Sequence, residues 1–113
     1  MDKLYERGML FDFYGELLTP HQQHIYSEAV FNDLSLSELS EEEGISRQGI
    51  SDLIRRCDKQ LEGYENKLHL IEKFSKIKLD TQRLFENIKN NGSLSQEAMK
   101  MLDEGLNRIL EDI

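Results

Sequence analysis

The chain holds one proline, one cysteine and no tryptophan in 113 residues. With Pro20 alone to interrupt it, most of the chain is free to run as long helices, because no other ring removes a backbone donor. The one cysteine, Cys57, has no partner for an internal disulfide, which suits a reducing cytosol. No stretch approaches the roughly 18 apolar residues of a membrane span. No basic-then-apolar opening marks a secretory signal, so a soluble cytoplasmic protein is expected. A glycine-rich phosphate loop and a nucleophile elbow are both missing, and the acids follow helix faces instead of converging on a motif. The expectation is a protein that is not an enzyme and needs no metal or other cofactor.

Apolar residues make up 38% of the chain and charged residues 32%, too apolar for a disordered segment and polar for a globular one. A chain of this length forms a modest core, so help from a second subunit is plausible. The net charge of −8 opposes tight nonspecific binding to phosphate backbones, which makes the local distribution of charge decisive.

The pattern along the chain is helical throughout. Leu4, Gly8, Phe11 and Leu18 recur at helix-face spacing, with Met9, Phe13 and Leu17 widening the face. Thr19-Pro20 starts a second helix, because Thr19 can cap it and Pro20 fits the first helical position. Ile25, Ala29, Val30 and Phe31 are its inward candidates, and Asn32-Asp33 ends it. Ser35 caps a short third helix, with Glu38 three residues on completing a capping box and Leu36 and Leu39 as core contacts. Gly44 stands where a helix end needs a left-handed backbone, Ile45 fills the turn and Ser46 caps the next helix. Two helices across a glycine-containing turn form a helix-turn-helix over about Leu36 to Lys59.

Beyond it, Ile50, Leu53 or Ile54, Cys57, Leu61, Tyr64, Leu68 and Ile71 alternate spacings of three and four. This predicts a heptad seam on one long helix, or two nearly collinear ones, from Ser46 to about Asn90. Gly63 interrupts the seam at a cost of ~1 kcal/mol. Such a seam calls for the last helix of the same chain or a second subunit. Asn91-Gly92-Ser93 breaks the pattern, and Ser95 caps a final helix carrying Met99, Leu102, Leu106, Ile109, Leu110 and Ile113.

The words Phe11-Asp12-Phe13-Tyr14-Gly15, Leu17-Leu18-Thr19, Gln22-Gln23, Leu36-Ser37-Glu38-Leu39 and Ser46-Arg47-Gln48 occur in this order. Together they resemble the YlxM family of helix-turn-helix proteins. The stretch from Leu18 to Arg56 is also similar to region 4 of bacterial sigma factors, which grips promoter DNA. The resemblance implies a cytoplasmic bacterial protein encoded near signal recognition particle components, with a regulatory or accessory role there. Two positions depart from the sigma pattern: Glu43 stands where an apolar residue is usual, and Gly49 lies inside the recognition helix.

A recognition helix sets its first residues at base edges in the major groove. Here these are Ser46, Arg47, Gln48, Ser51 and Asp52, with Arg47 shaped for guanine and Gln48 for adenine. Arg55, Arg56 and Lys59 lie further along, suited to phosphates. The competing reading is an ordinary solvated helix face. Charge favours restraint: residues 18–60 carry four Lys or Arg against eight Asp or Glu, so any DNA binding should be weak and salt-dependent. Residues 64–91 carry six Lys or Arg against four acids, and Lys67, Lys73, Lys76 and Lys78 form either an RNA-facing surface or a solvated face. His21 and His24 stand one turn apart, as metal ligands can, but no third ligand is near in sequence and a surface pair is favoured. His69 is expected to be exposed, Cys57 to be a small buried hydrophobe, and Tyr5, Phe11, Phe13, Tyr14 and Tyr26 to be core.

The sequence therefore predicts an all-α fold: a sigma-region-4-like helix-turn-helix bundle with an N-terminal helix, and a long C-terminal helical extension. Residues 1–62 would hold the first part and residues 63–113 a dimerisation extension, within one compact unit. Function divides between a homodimeric DNA-binding regulator, its two reading heads ~34 Å apart, and a non-catalytic adaptor for a protein or structured RNA of the signal recognition particle pathway.

Overall fold

The structure is a computed structural model and describes residues 2–91 and 96–112. The described residues form six α-helices: α1 (Lys3–Tyr14), α2 (Pro20–Val30), α3 (Leu36–Glu43), α4 (Arg47–Leu68), α5 (Leu70–Asn91) and α6 (Gln96–Asp112). A 3-10 turn, Gly15–Leu17, follows α1, and no strand occurs among the described residues. None of the described helices is long and apolar enough to cross a membrane. The chain divides into two compact units, Met1–Ile71 and Glu72–Ile113.

In the first unit each helix starts and stops where local chemistry directs it. The Thr19 hydroxyl accepts from Gln22 N, and the Gln22 side chain returns a bond to Thr19 N, so α2 opens on a reciprocal cap. Ser35 and Glu38 form the same arrangement at α3. Gly44 ends α3 with φ 68°, a left-handed conformation that costs glycine nothing and an L-residue about 1 kcal/mol. The Ser46 hydroxyl then accepts from Gly49 N at 3.0 Å and opens α4.

The core of this unit is Tyr14, Leu18, Ile25, Tyr26, Leu39, Ile50, Leu53, Cys57 and Leu61, with α1, α2 and α3 all packed against α4. The upper part of the heptad seam is therefore filled by the N-terminal helices, whereas its spacing suggested the last helix or a second subunit. Repeats of three and four reveal that a helix face is buried but not what buries it. Five apolar residues expected on buried faces of this unit lie exposed instead: Leu4 is 53% exposed, Tyr5 60%, Leu17 57%, Leu36 40% and Leu68 46%. Phe31 lies at the surface, but its ring packs against Phe11 and Tyr26.

Of the two alternatives, one long helix or two, the stretch forms two: His69 takes a left-handed φ of 56° and ends α4, while Gly63 continues the helix undisturbed. The break is held from inside. The buried Tyr14 hydroxyl donates to Glu65 Oε1 and accepts from Leu70 N, and Glu65 Oε1 accepts from Ile71 N at 3.0 Å. Two of the backbone donors left over at the start of α5 are thus satisfied by a tyrosine of α1 and a glutamate of α4. Burial first, and then the bond to Glu65, raise the Tyr14 pKa.

In the second unit α5 and α6 are joined by an ion pair, Arg108 Nη1 to Asp80 Oδ2 at 2.6 Å. Ile77, Leu84, Met101, Leu102 and Leu106 line an apolar groove with Lys73, Asp80 and Arg108 among its polar lining. None of the described side chains in this unit is fully buried. The expected break at Asn91-Gly92-Ser93 and the Ser95 cap fall largely on residues 92–95, and the Ile109, Leu110 and Ile113 side chains complete the predicted α6 face; all lie outside the described residues.

Candidate nucleic-acid interface

The helix-turn-helix consists of α3, the turn Gly44–Ser46 and the first half of α4, with α2 packed behind both helices. Ile50, Leu53, Cys57 and Leu61 point into the core, so Gln48, Asp52, Arg55 and Lys59, at spacings of four, three and four, share the opposite side of α4. Arg47, Gln48, Arg55, Arg56 and Lys59 are exposed, and Ser51 and Asp52 are half-buried. Asp52, Arg55, Arg56 and Lys59 border one open depression. Of the predicted set, Ser46 is committed to the helix end, since its hydroxyl caps α4.

Electrostatically this face is partly self-neutralised. Asp52 Oδ1 accepts from Gln48 Nε2 at 3.1 Å and lies 3.3 Å from Arg55 Nη2. The amide that would read an adenine is held by a carboxylate within its own helix, and the same carboxylate offsets one of the phosphate-seeking arginines. A nucleic acid bound here has to displace Asp52 from both.

Gly49 has a positive structural role. A Cβ at this position would lie 2.6 Å from Ile45 Cγ2 and 3.2 Å from Ser46 Oγ. Glycine lets the turn residue Ile45 close over the first turn of α4.

The face is fixed to α1 and α2 through Asp58, which the sequence reading passed over. Arg7 grips this carboxylate with two bonds, Nη2 to Oδ2 at 2.7 Å and Nε to Oδ1 at 3.2 Å, and the Tyr26 hydroxyl donates to Oδ1 at 2.6 Å. The hydrogen bond to Asp58 raises the Arg7 pKa, and burial followed by the same carboxylate pushes the Tyr26 phenol well above its ordinary value. The signal available in the sequence was a lone aspartate beside the buried Cys57, on the flank of an apolar stripe.

Glu43 also has partners that sequence distance concealed. His21 Nε2 lies 3.2 Å from Glu43 Oε2, and His24 Nε2 lies 3.0 Å from Glu42 Oε1 and 3.4 Å from Glu43 Oε1. The two histidines thus meet carboxylates across the α2–α3 junction, where the sequence reading found no third group.

The lysines expected to face RNA are distributed over both units. Lys67 is exposed in the last turn of α4. In α5, Lys76 and Lys78 are exposed, Lys76 lies 3.7 Å from Glu72, and Lys73 is half-buried along the apolar groove.

Residues 1–105 match the model of the family described as "Putative helix-turn-helix protein, YlxM / p13 like", UPF0122. The chain belongs to the UPF0122 family. A UPF0122 protein of Clostridium perfringens is 39% identical over 110 residues, spanning 97% of this chain and 98% of its own length. One of Acetivibrio thermocellus is 42% identical over 113 residues, spanning 98% and 97%. One of Halalkalibacterium halodurans is 40% identical over 103 residues, spanning 91% and 94%. The UPF0122 match covers the helix-turn-helix and α5 and runs into α6.

Proposed function

We propose that this UPF0122 chain is a nucleic-acid-binding regulator that presents the first half of α4 to the major groove of a duplex. The observation carrying this reading is the line of exposed Gln48, Arg55 and Lys59 with half-buried Asp52 among them, together with exposed Arg47, on a helix that begins directly after the left-handed turn at Gly44. Base contacts fall to Arg47, Gln48 and Ser51, and phosphate contacts to Arg55, Arg56 and Lys59. Because Asp52 sits within the line and pairs with Arg55, affinity rests on few net charges. Dissociation constants of roughly 10⁻⁴–10⁻⁶ M and a steep salt dependence follow.

Fluorescence anisotropy with a mixed-sequence DNA duplex tests this. Arg47→Ala and Arg55→Ala should each weaken binding, and Asp52→Asn should strengthen it by removing the negative charge that pairs with Arg55. Absence of duplex binding at 20 mM salt would remove the proposal.

The chain acts as a homodimer in this reading. The supporting observation is the second unit, where Phe74 is 49% exposed, Phe85 72%, Leu102 41% and Leu106 52%, with no fully buried described side chain. A pair of such hairpins closes a four-helix core. Light scattering at micromolar concentration decides it, and a monomer there refutes it.

A second reading takes the same hairpin as an adaptor surface for a protein or structured RNA of the signal recognition particle machinery in the cytoplasm. The exposed apolar residues beside Lys76 and Lys78 favour it. Pull-down with the particle's protein and RNA separates the two readings, and loss of capture on neutralising Lys73, Lys76 and Lys78 assigns the contact to RNA.

A further inference from the structure

We propose that His24, Glu42 and Glu43 form a binding site for a divalent first-row transition metal of the zinc class, at the junction of α2 and α3. One ligand atom from each of the three lies within 4.8 Å of the others. His24 Nε2 stands 3.0 Å from Glu42 Oε1 and 3.4 Å from Glu43 Oε1. Metal–ligand bonds of 2.0–2.2 Å in a tetrahedron place neighbouring ligand atoms about 3.3–3.6 Å apart. The two separations from His24 Nε2 are thus close to those a tetrahedral ion imposes.

The donor set also fits chemically. One imidazole nitrogen and two carboxylate oxygens suit zinc or a neighbouring divalent ion, and water completes the tetrahedron. The second oxygen of Glu43 is engaged by His21 Nε2 at 3.2 Å, an outer partner of the kind that orients a ligating carboxylate. Glu43 is the most enclosed of the four side chains, 17% exposed, and it stands between the two imidazoles.

The helix ends supply a further reason for a cation. Glu41, Glu42 and Glu43 form the last turn of α3, which contains no basic residue. The partial negative charge of a helix C-terminus disfavours acids there, so three in succession leave the turn electrostatically strained. A divalent ion relieves that strain and ties α2 to the residue preceding Gly44, and this stands whether or not α4 binds a nucleic acid.

The experiment is calorimetric titration of the full chain with zinc chloride at pH 7.5, with thermal unfolding as a second readout. One equivalent should bind, the melting temperature should rise with the metal, and Glu41→Gln should leave both unchanged as the neighbouring acid outside the ligand set. His24→Ala and Glu43→Gln should each weaken binding at least tenfold, and His21→Ala, acting through Glu43, about tenfold. Equal one-equivalent affinity in wild type and His24→Ala would overturn the site, as would the absence of stoichiometric binding. Equal losses in Glu41→Gln and Glu42→Gln would reduce it to a diffuse acidic patch and overturn it too.

Discussion

Replacing Gly49 and Gly63 by alanine, one at a time, should shift stability in opposite directions although both lie within α4. In an unconstrained helix interior, alanine gains about 1 kcal/mol over glycine. At Gly63 the new methyl meets nothing within 4 Å, so that gain should be realised. At Gly49 it lands 2.6 Å from Ile45 Cγ2, whereas carbon atoms pack at roughly 3.5–4.0 Å. The displaced methyl sits on a β-branched carbon and cannot swing aside without forcing χ1 from its well or moving the turn. The Ser46 hydroxyl, 3.2 Å from the new atom and bonded to Gly49 N, obstructs the other side. Overpacking of this kind costs about 1–3 kcal/mol, which leaves a net loss of about 1 kcal/mol after the helix gain. The two variants should therefore differ by about 2 kcal/mol in urea unfolding followed by circular dichroism. The cause can be isolated by repeating Gly49→Ala in an Ile45→Ala background, where the substitution should become stabilising. If Gly49→Ala stabilises the parent protein as much as Gly63→Ala does, the account of the turn is wrong.

Asp58→Ala leaves the Arg7 guanidinium and the Tyr26 hydroxyl without their shared acceptor, and a loss of about 2–3 kcal/mol is expected in the same unfolding assay. Tyr26→Phe removes a single donor from that acceptor and should cost about 1 kcal/mol, so equal effects would argue against Asp58 as the hub. The hydrogen bond from Glu42 raises the His24 pKa above 6.5, so Glu42→Gln should lower it in an NMR titration. Because the folded value is the higher one, the contribution of His24 to stability is complete below about pH 6.5 and fades as pH rises through the folded pKa. Burial pushes the Cys57 thiol up to about 11, so on the order of a thousandth is ionised at pH 8, and labelling by a thiol-specific disulfide reagent should require unfolding. Rapid labelling of the native protein would contradict its burial.

The parts of this protein that were legible in the sequence are those whose determinants lie within about four residues. Thr19 with Pro20, Ser35 with Glu38, Gly44 and Ser46 each act on the backbone of their own helix end, and each stands in the structure as its residue type directs. The same locality made the exposed face of α4 readable, because the burial of Ile50, Leu53 and Cys57 sends Gln48, Arg55 and Lys59 outward. What was misread was always a matter of partners. Leu36 and Tyr5 are apolar residues on helices whose neighbours do not cover them, and Gly49 looked like a weakness until Ile45 was seen above it.

Sequence alone settled that the chain is all helix, where the helix-turn-helix lies and which side chains line its outer face, since hydrogen-bonded helix ends and a 3.6-residue period are properties of short segments. Tertiary structure alone decided that α4 stops at His69, that Asp58 gathers Arg7 and Tyr26, and that two histidines confront Glu42 and Glu43. Those arrangements join groups 18 to 56 residues apart. No local preference encodes such pairs; they form only when packing of the apolar faces brings the helices side by side and leaves each enclosed polar group in need of a partner.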